Sequence, residues 1–253
     1  MSRPKVLITG ASGLIGGLVL ENLSGKYDFS ALNRRKVEGI PFRQADITSL
    51  DEILPAFRGI DTVLHLSAYL ADVNDWENTN KVNINGTYNV FEAASRNNVS
   101  RVVFASSGST MLGYELDYPY GHIAQGEYEK IPDTWKLLDY KDPVRPDSLY
   151  GVSKVFGETL GRYYSDYHGI SVINIRLGAV LDINKPKLVR HYPGYLSHSD
   201  CVQIVDLCLN APDSVRFEIF DAISDNKMKW RDTSHASTIL GWNPNGRSEQ
   251  FEL

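Results

Sequence analysis

Tyr150 and Lys154 stand four residues apart in a stretch, Tyr150 to Tyr164, that lacks proline and carries the strong helix formers Lys154, Glu158, Leu160 and Arg162. Positions i and i+4 share one helical face, so phenol and ammonium are expected side by side. A phenol titrates near ~10 and is a poor base at neutral pH. A cation beside it favours the phenolate and is expected to pull its pKa down. A tyrosine tuned in this way can take the proton of an alcohol while a cofactor takes the hydride. The spacing alone fits an exposed pair on an amphipathic helix better, because such pairs are common on helix surfaces. Its meaning depends on what precedes it.

Lys5 to Thr9 is a short apolar run of the kind that forms a strand buried in a parallel sheet. Gly10-Ala11-Ser12-Gly13-Leu14-Ile15-Gly16-Gly17 follows at once and opens a helical pattern, Leu14 to Leu23. Glycines three apart at a strand-to-helix turn let backbone N–H groups approach a pyrophosphate, with the helix N-terminus facing it. Gly10, Ser12, Gly13, Leu14, Ile15 and Gly16 are therefore the expected phosphate cradle of a dinucleotide. The second strand, Phe29 to Leu32, ends at Asn33-Arg34-Arg35. No acid stands there for the ribose hydroxyls and two guanidinium groups do, which favours NADP over NAD. Arg43 to Ile47 is predicted as the third strand, with Asp46 and Ile47 at the adenine edge. Asp61 to Ala68 is the fourth, its end Leu66-Ser67-Ala68 small enough for a cofactor to approach. His65 inside that run is expected to be a core histidine.

The elements that must position these groups continue in alternation. Asp72 to Asn80 is polar and expected as a loop, Asn83 to Asn97 as a helix, and Arg101 to Ala105 as a strand ending in the hydroxyl cluster Ser106-Ser107-Gly108-Ser109-Thr110. The carboxyl end of a strand is where open α/β sheets hold ligands. The aromatic and polar stretch between Ser107 and Tyr150 shows no repeating element and is expected to be a lid or substrate loop. Ser171 to Arg176 and Phe217 to Asp221 are predicted strands. Ser197 to Leu209 is a predicted helix capped by Ser197 or Ser199, and Thr233 to Leu240 a last one stopped by Gly241. A net charge of −5 without Lys/Arg blocks argues against nucleic acid or an anionic membrane as partner. The chain is read as neither spanning a membrane nor carrying an export signal. Cys201 and Cys208 fall two helical turns apart, roughly 10 Å, beyond disulfide reach, which fits a reduced, cytoplasmic location. No metal-binding cluster is expected.

Taken together, Gly10-x-x-Gly13-x-x-Gly16, Asp46, His65-Leu66-Ser67-Ala68, Asn83, Ser107 and Tyr150-x-x-x-Lys154 resemble the extended short-chain dehydrogenase/reductase (NAD-dependent epimerase/dehydratase) family, from about Lys5 to about Pro244. Within it, Phe104 to Ser107, Pro146 to Lys154, Tyr195-Leu196-Ser197 and Ser224 to Lys227 are most similar to the short sugar dehydrogenases, the uronate and archaeal glucose-6-phosphate enzymes. The resemblance implies a doubly wound (Rossmann) parallel sheet with a small C-terminal substrate-binding elaboration, in one domain over 1–253, with a substrate edge formed by 108–149 and 178–253.

It further implies Tyr150 as general base, Lys154 holding the nicotinamide ribose, and Ser107 on the reacting oxygen. Asn83 would support Lys154, with Leu177 and Ala179 beside the cofactor. Substrate would meet Ser67, Gly108, Ser109, Tyr150, Ala179 and Arg190, whose guanidinium, with Lys185 or Lys187 beside it, would grip an acid group. Gly108-Ser109 depart from the Asn-His pair of uronate dehydrogenases, and Asn33 replaces their ribose-binding acid. The activity so implied is oxidation of the C1 hydroxyl of a small anionic sugar, a uronate or sugar phosphate, to a lactone by a homodimer paired through the Asn83–Asn97 and Tyr150–Tyr164 helices. A nucleotide-sugar epimerase or dehydratase would instead keep a tightly held NAD and show no net reduction. A non-catalytic dinucleotide sensor would show no turnover at all.

Overall fold

A computed structural model describes residues 3–252. Seven strands form one parallel sheet in the order β3-β2-β1-β4-β5-β6-β7. They are β1 Lys5–Thr9, β2 Asp28–Asn33, β3 Phe42–Gln44, β4 Thr62–His65, β5 Arg101–Ser107, β6 Ser171–Leu177 and β7 Phe217–Ala222. The connecting helices are α1 Leu14–Leu23, α2 Leu50–Ile53, α3 Trp76–Asn78, α4 Thr87–Arg96, α5 Tyr120–Gln125, α6 Leu149–His168, α7 His191–Gly194, α8 His198–Leu209 and α9 Ser234–Leu240. Because side chains alternate across a strand, Val6 and Ile8 join one apolar layer while Leu7 joins the other. The first layer holds Val19 of α1 and Cys201, Ile204 and Cys208 of α8. The second holds Val90 and Phe91 of α4 and Tyr164 of α6. Helices on both faces and an order that reverses at β1 make this the doubly wound sheet expected from the sequence.

The helix α6 is longer than its predicted core. Ser148 caps it, its Oγ accepting from the Gly151 amide at 3.1 Å, and Gly169 ends it. It lies close on the sheet: a Cβ at Gly157 would come within 2.3 Å of the Phe104 ring. That approach fixes the height of Tyr150 and Lys154 above β5. Ser197, not Ser199, caps α8, accepting from the Asp200 amide at 3.1 Å. Cys201 and Cys208 are both free and fully buried on α8.

Two expectations are corrected. The polar run Asp72 to Asn80 is not all loop: Asp75 caps α3 by accepting from the Asn78 amide at 3.1 Å, and a π-helical stretch, Thr79–Gly86, carries the chain into α4. An asparagine-rich sequence has weak helix propensity, which hid this start. The third strand is shorter than Arg43 to Ile47, because the Asp46 carboxylate accepts from the Thr48 amide at 3.0 Å and turns the chain after Gln44. The segment between Ser107 and Tyr150, expected as a lid or substrate loop, is held by short helical turns and by a small core in which its Met111, Tyr120, Ile123 and Leu138 pack with Trp230 from further along the chain.

Candidate active site

The strand order reverses between β1 and β4, and open α/β sheets hold ligands at such a point, beyond the carboxyl ends of the strands. Two adjoining cavities lie there. The smaller, about 200 Å³, is lined by Gly10, Ser12, Gly13 and the β2 end residues Asn33, Arg34 and Arg35. Across from these stand Asp46, Ile47, Leu66, Ser67 and Ala68. Gly10 has φ +77°, and a Cβ there would lie 2.9 Å from the Ser67 amide nitrogen. Only glycine lets the β1 and β4 ends close together at that conformation. Asn33 donates to Ser12 Oγ at 3.0 Å and to Arg35 O at 2.7 Å, tying the β2 end to the glycine loop. Arg34 and Arg35 are exposed. Backbone amides, a helix start and unpaired cations fit the phosphates of a dinucleotide.

The larger cavity, about 690 Å³, continues from Gly10, Gly13, Leu14, Ile15 and Gly16 to Ser107, Tyr150 and Lys154. Leu177 and Ala179 form one side, Gly108, Ser109 and Arg190 another. Ser107 Oγ accepts from the Ser109 amide at 3.1 Å and contacts the Tyr150 phenol. Lys154 Nζ donates to Ala105 O at 2.8 Å and lies 5.3 Å from the Tyr150 ring centre. Burial pushes the Tyr150 phenol up to about 12, the Ser107 contact opposing. It pushes the Lys154 ammonium down to about 7, with Glu158 opposing. The expected lowering of the phenol by the ammonium is therefore not the balance in this structure. Desolvation dominates, and the Lys154 ammonium is turned to the Ala105 carbonyl instead.

Other expected site residues stand differently. Asn83 lines neither cavity. Its side chain holds the Tyr69 backbone, Oδ1 accepting from the amide at 2.6 Å and Nδ2 donating to the carbonyl at 3.0 Å. Ser67 lies on the smaller cavity rather than on the larger one. Lys187 pairs with Asp182, and neither it nor Lys185 lines a cavity. Arg190 does reach the larger cavity, but Nε donates to Glu115 at 2.6 Å and Nη2 to Asp147 at 3.0 Å. His65 is a core residue between Thr9 and Thr87 hydroxyls, at 2.7 and 3.2 Å, and burial holds its pKa down to about 3. Sequence reading missed Glu115 and Arg231 on the cavity wall. A single charged residue inside an irregular loop gives no periodic signal.

At and behind the wall lies a buried charge network. Arg176 holds Glu158 with two bonds of 2.8 Å, and Ser106 donates to the same carboxylate at 2.6 Å. Arg231 Nη1 donates to Asp221 at 2.8 Å and to Arg176 O at 3.2 Å. Buried ions need such partners, since an unpaired one costs several kcal/mol. The network anchors α6, β5, β6 and β7 to one another under the Ser107–Tyr150–Lys154 wall.

A doubly wound sheet with a glycine-loop cleft opening onto a Ser/Tyr/Lys wall defines a dinucleotide-binding protein of the oxidoreductase type. The chain belongs to the NAD dependent epimerase/dehydratase family, whose family model matches residues 6–187. It is 33% identical to the NAD-dependent glucose-6-phosphate dehydrogenase of Haloferax volcanii, over 99% of this chain and 96% of that protein. It is 34% identical to the L-arabinose 1-dehydrogenase (NAD(P)(+)) of the same organism, over 96% and 97%. The solved uronate dehydrogenase from Agrobacterium tumefaciens superposes with a TM-score of 0.83 at 30% identity, covering 99% of this chain and 88% of that one.

Proposed function

We propose that this protein is an NAD(P)-dependent sugar dehydrogenase that oxidises the C1 hydroxyl of a small sugar bearing an acid group to a lactone. The observation that carries this reading is the gathering of Ser107, Tyr150 and Lys154 on one wall of a cavity continuous with the glycine-loop cleft. In this reading Ser107 donates a hydrogen bond to the reacting oxygen and Tyr150 Oη receives its proton. Lys154 holds the ribose and, once turned from the Ala105 carbonyl, favours the phenolate. The C1–H electron pair leaves as hydride, the C1–O bond becomes a carbonyl, and the nicotinamide, when bound, supplies the hydride acceptor. Three relatives named for monosaccharides, each matched over most of its length, support a sugar substrate, and the glucose-6-phosphate and uronate enzymes among them support the acid group.

Gly10, Ser12, Gly13, Leu14, Ile15 and Gly16 would cradle the pyrophosphate, and Asp46 and Ile47 would meet the adenine. Leu66, Ala68, Leu177 and Ala179 would flank the nicotinamide half, with Ser67 beside the adenosine half. Arg34 and Arg35 favour NADP. Asn83 acts one step removed, by holding the Tyr69 loop. Substrate lies against Gly108, Ser109 and the edge formed by 108–149 and 178–253 of one domain. No helix among the described residues is long and apolar enough to cross a membrane, and two free, buried cysteines favour a cytoplasmic location. The exposed Tyr88, Tyr163 and Tyr167 favour a homodimer paired through the α4 and α6 faces.

The test is a screen of uronates, sugar phosphates and free aldoses with NAD and with NADP, read in the reduced-nicotinamide absorbance band. Reduction of free cofactor by an acidic sugar, at higher kcat/KM with NADP, is expected. A tightly held NAD with no net reduction by any sugar would transfer the assignment to an epimerase or dehydratase.

A further inference from the structure

We propose that Arg231, rather than Arg190, grips the acid group of the sugar, and that Gly108 makes room for it. The ligand class, a monosaccharide carrying a carboxylate or a phosphate, rests on the dehydrogenase reading above. The assignment of the residue rests on which edge of each guanidinium is still open. The Nε and Nη2 donors form the side-on fork that matches a carboxylate or phosphate. In Arg190 both are taken, Nε by Glu115 and Nη2 by Asp147. Its side chain is also 48% exposed, so water competes for it.

Arg231 is the reverse case. Its Nη1 alone is engaged, by Asp221 and the Arg176 carbonyl. Nε and Nη2 take no acceptor among the described residues. The fully buried polar atoms without a partner include Arg176 Nη1 and Asp221 Oδ2 but neither of these two, so both keep some accessible surface on a residue that lines the cavity. The side chain is only 3% exposed, and a charge-assisted fork is stronger where water is excluded. Asp221 holds the guanidinium from behind, leaving its open edge fixed in place.

Gly108 supplies the second, independent observation. A Cβ at that position would lie 3.0 Å from Cζ, Nη1 and Nη2 of Arg231 alike. Equal distances to all three mean that the guanidinium lies flat against the glycine. Any larger side chain there would push it away. Gly108 directly follows Ser107, so a sugar held at the Ser107–Tyr150 wall has the open fork within its own length. Arg190 then has a different task at the cavity mouth. It ties Glu115 of the loop after β5 to Asp147 just ahead of α6.

The experiment compares the wild type with Arg231→Lys, Gly108→Ala and Arg190→Ala. Two matched pairs are used: galacturonate against galactose for a carboxylate, and glucose 6-phosphate against glucose for a phosphate. Steady-state kcat/KM and calorimetric binding to the cofactor-free chain are both read. The wild type should prefer the acidic member of one pair, which names the acid. Arg231→Lys, which keeps the charge but loses the fork, and Gly108→Ala, which leaves Arg231 in the sequence, should each cut that preference about tenfold or more, mainly through KM or Kd. Arg190→Ala should leave it within about threefold. Gly108→Ala carries the test if Arg231→Lys does not fold. A wild type without preference in either pair would overturn the proposal, as would preference lost in Arg190→Ala and kept in the other two. A wild type that turns over no sugar would refute the dehydrogenase reading instead, and the calorimetric ratios would still judge Arg231.

Discussion

Lys154 is costly where it sits. Its ammonium is fully buried with one carbonyl as partner, and burial takes its pKa from 10.5 to about 7. The folded chain therefore binds this proton less tightly than the unfolded chain does. The sign follows: the group costs nothing above pH 10.5, and its cost grows as pH falls from there to about 7. Lys154→Met should raise stability at neutral pH by on the order of 2 kcal/mol, after loss of the Ala105 bond, while turnover is lost. Thermal unfolding at pH 7 checks this, and a lower Tm in the variant would show that the ammonium is structural. Because the Tyr150 phenol stands at about 12 without ligand, the wild-type rate should also climb through the alkaline range. His65 contrasts with Lys154, since two hydroxyls satisfy its ring and it needs no charge.

The element that matters most is α6, because the site inherits its position. Gly157 lets the helix rest on Phe104, and a methyl group there has no space. Gly157→Ala should cost about 1–3 kcal/mol by overpacking and lower kcat more than it raises KM, since it lifts Tyr150 and Lys154 together. Urea unfolding beside steady-state kinetics checks both; an unchanged midpoint would mean that the ring simply rotates aside. This helix was legible in the sequence because its pattern is long and periodic. So were β1, β4, β5 and β6, which read as apolar runs bounded by turns. The start at Trp76 was not, because an Asp75 cap and a π-helical stretch follow no 3.6-residue pattern. The 107–149 region was illegible for a different reason. Leu138 pairs with the Trp230–Asp232 backbone, its amide donating to Trp230 O at 2.8 Å, and Met111 and Tyr120 pack under the same tryptophan. Such contacts join distant parts of the chain without any local signal.

At the scale of the whole molecule, the two halves of the chain divide the work. The first four strands and the glycine loop build the cleft for the dinucleotide, and all but the bounds of the third could be read from residue types alone. The part from β5 onward builds the wall to which we assign the substrate, from β5, β6 and β7, α6 and two irregular segments. There the sequence named Arg190 for its place in a motif, while the fold brings Arg231 to the same cavity by way of β7 and its buried partners. Ionic partners across the fold decide which guanidinium is open, and no spacing rule carries that information. The central claim is that one phenol, placed by α6 beside a bound nicotinamide, receives the substrate proton. It is tested most directly by measuring Tyr150→Phe and the wild type side by side, for turnover of the preferred sugar and for cofactor Kd. Loss of turnover by about a hundredfold or more, with cofactor affinity within about threefold, is expected. Turnover near the wild-type rate in Tyr150→Phe would contradict it.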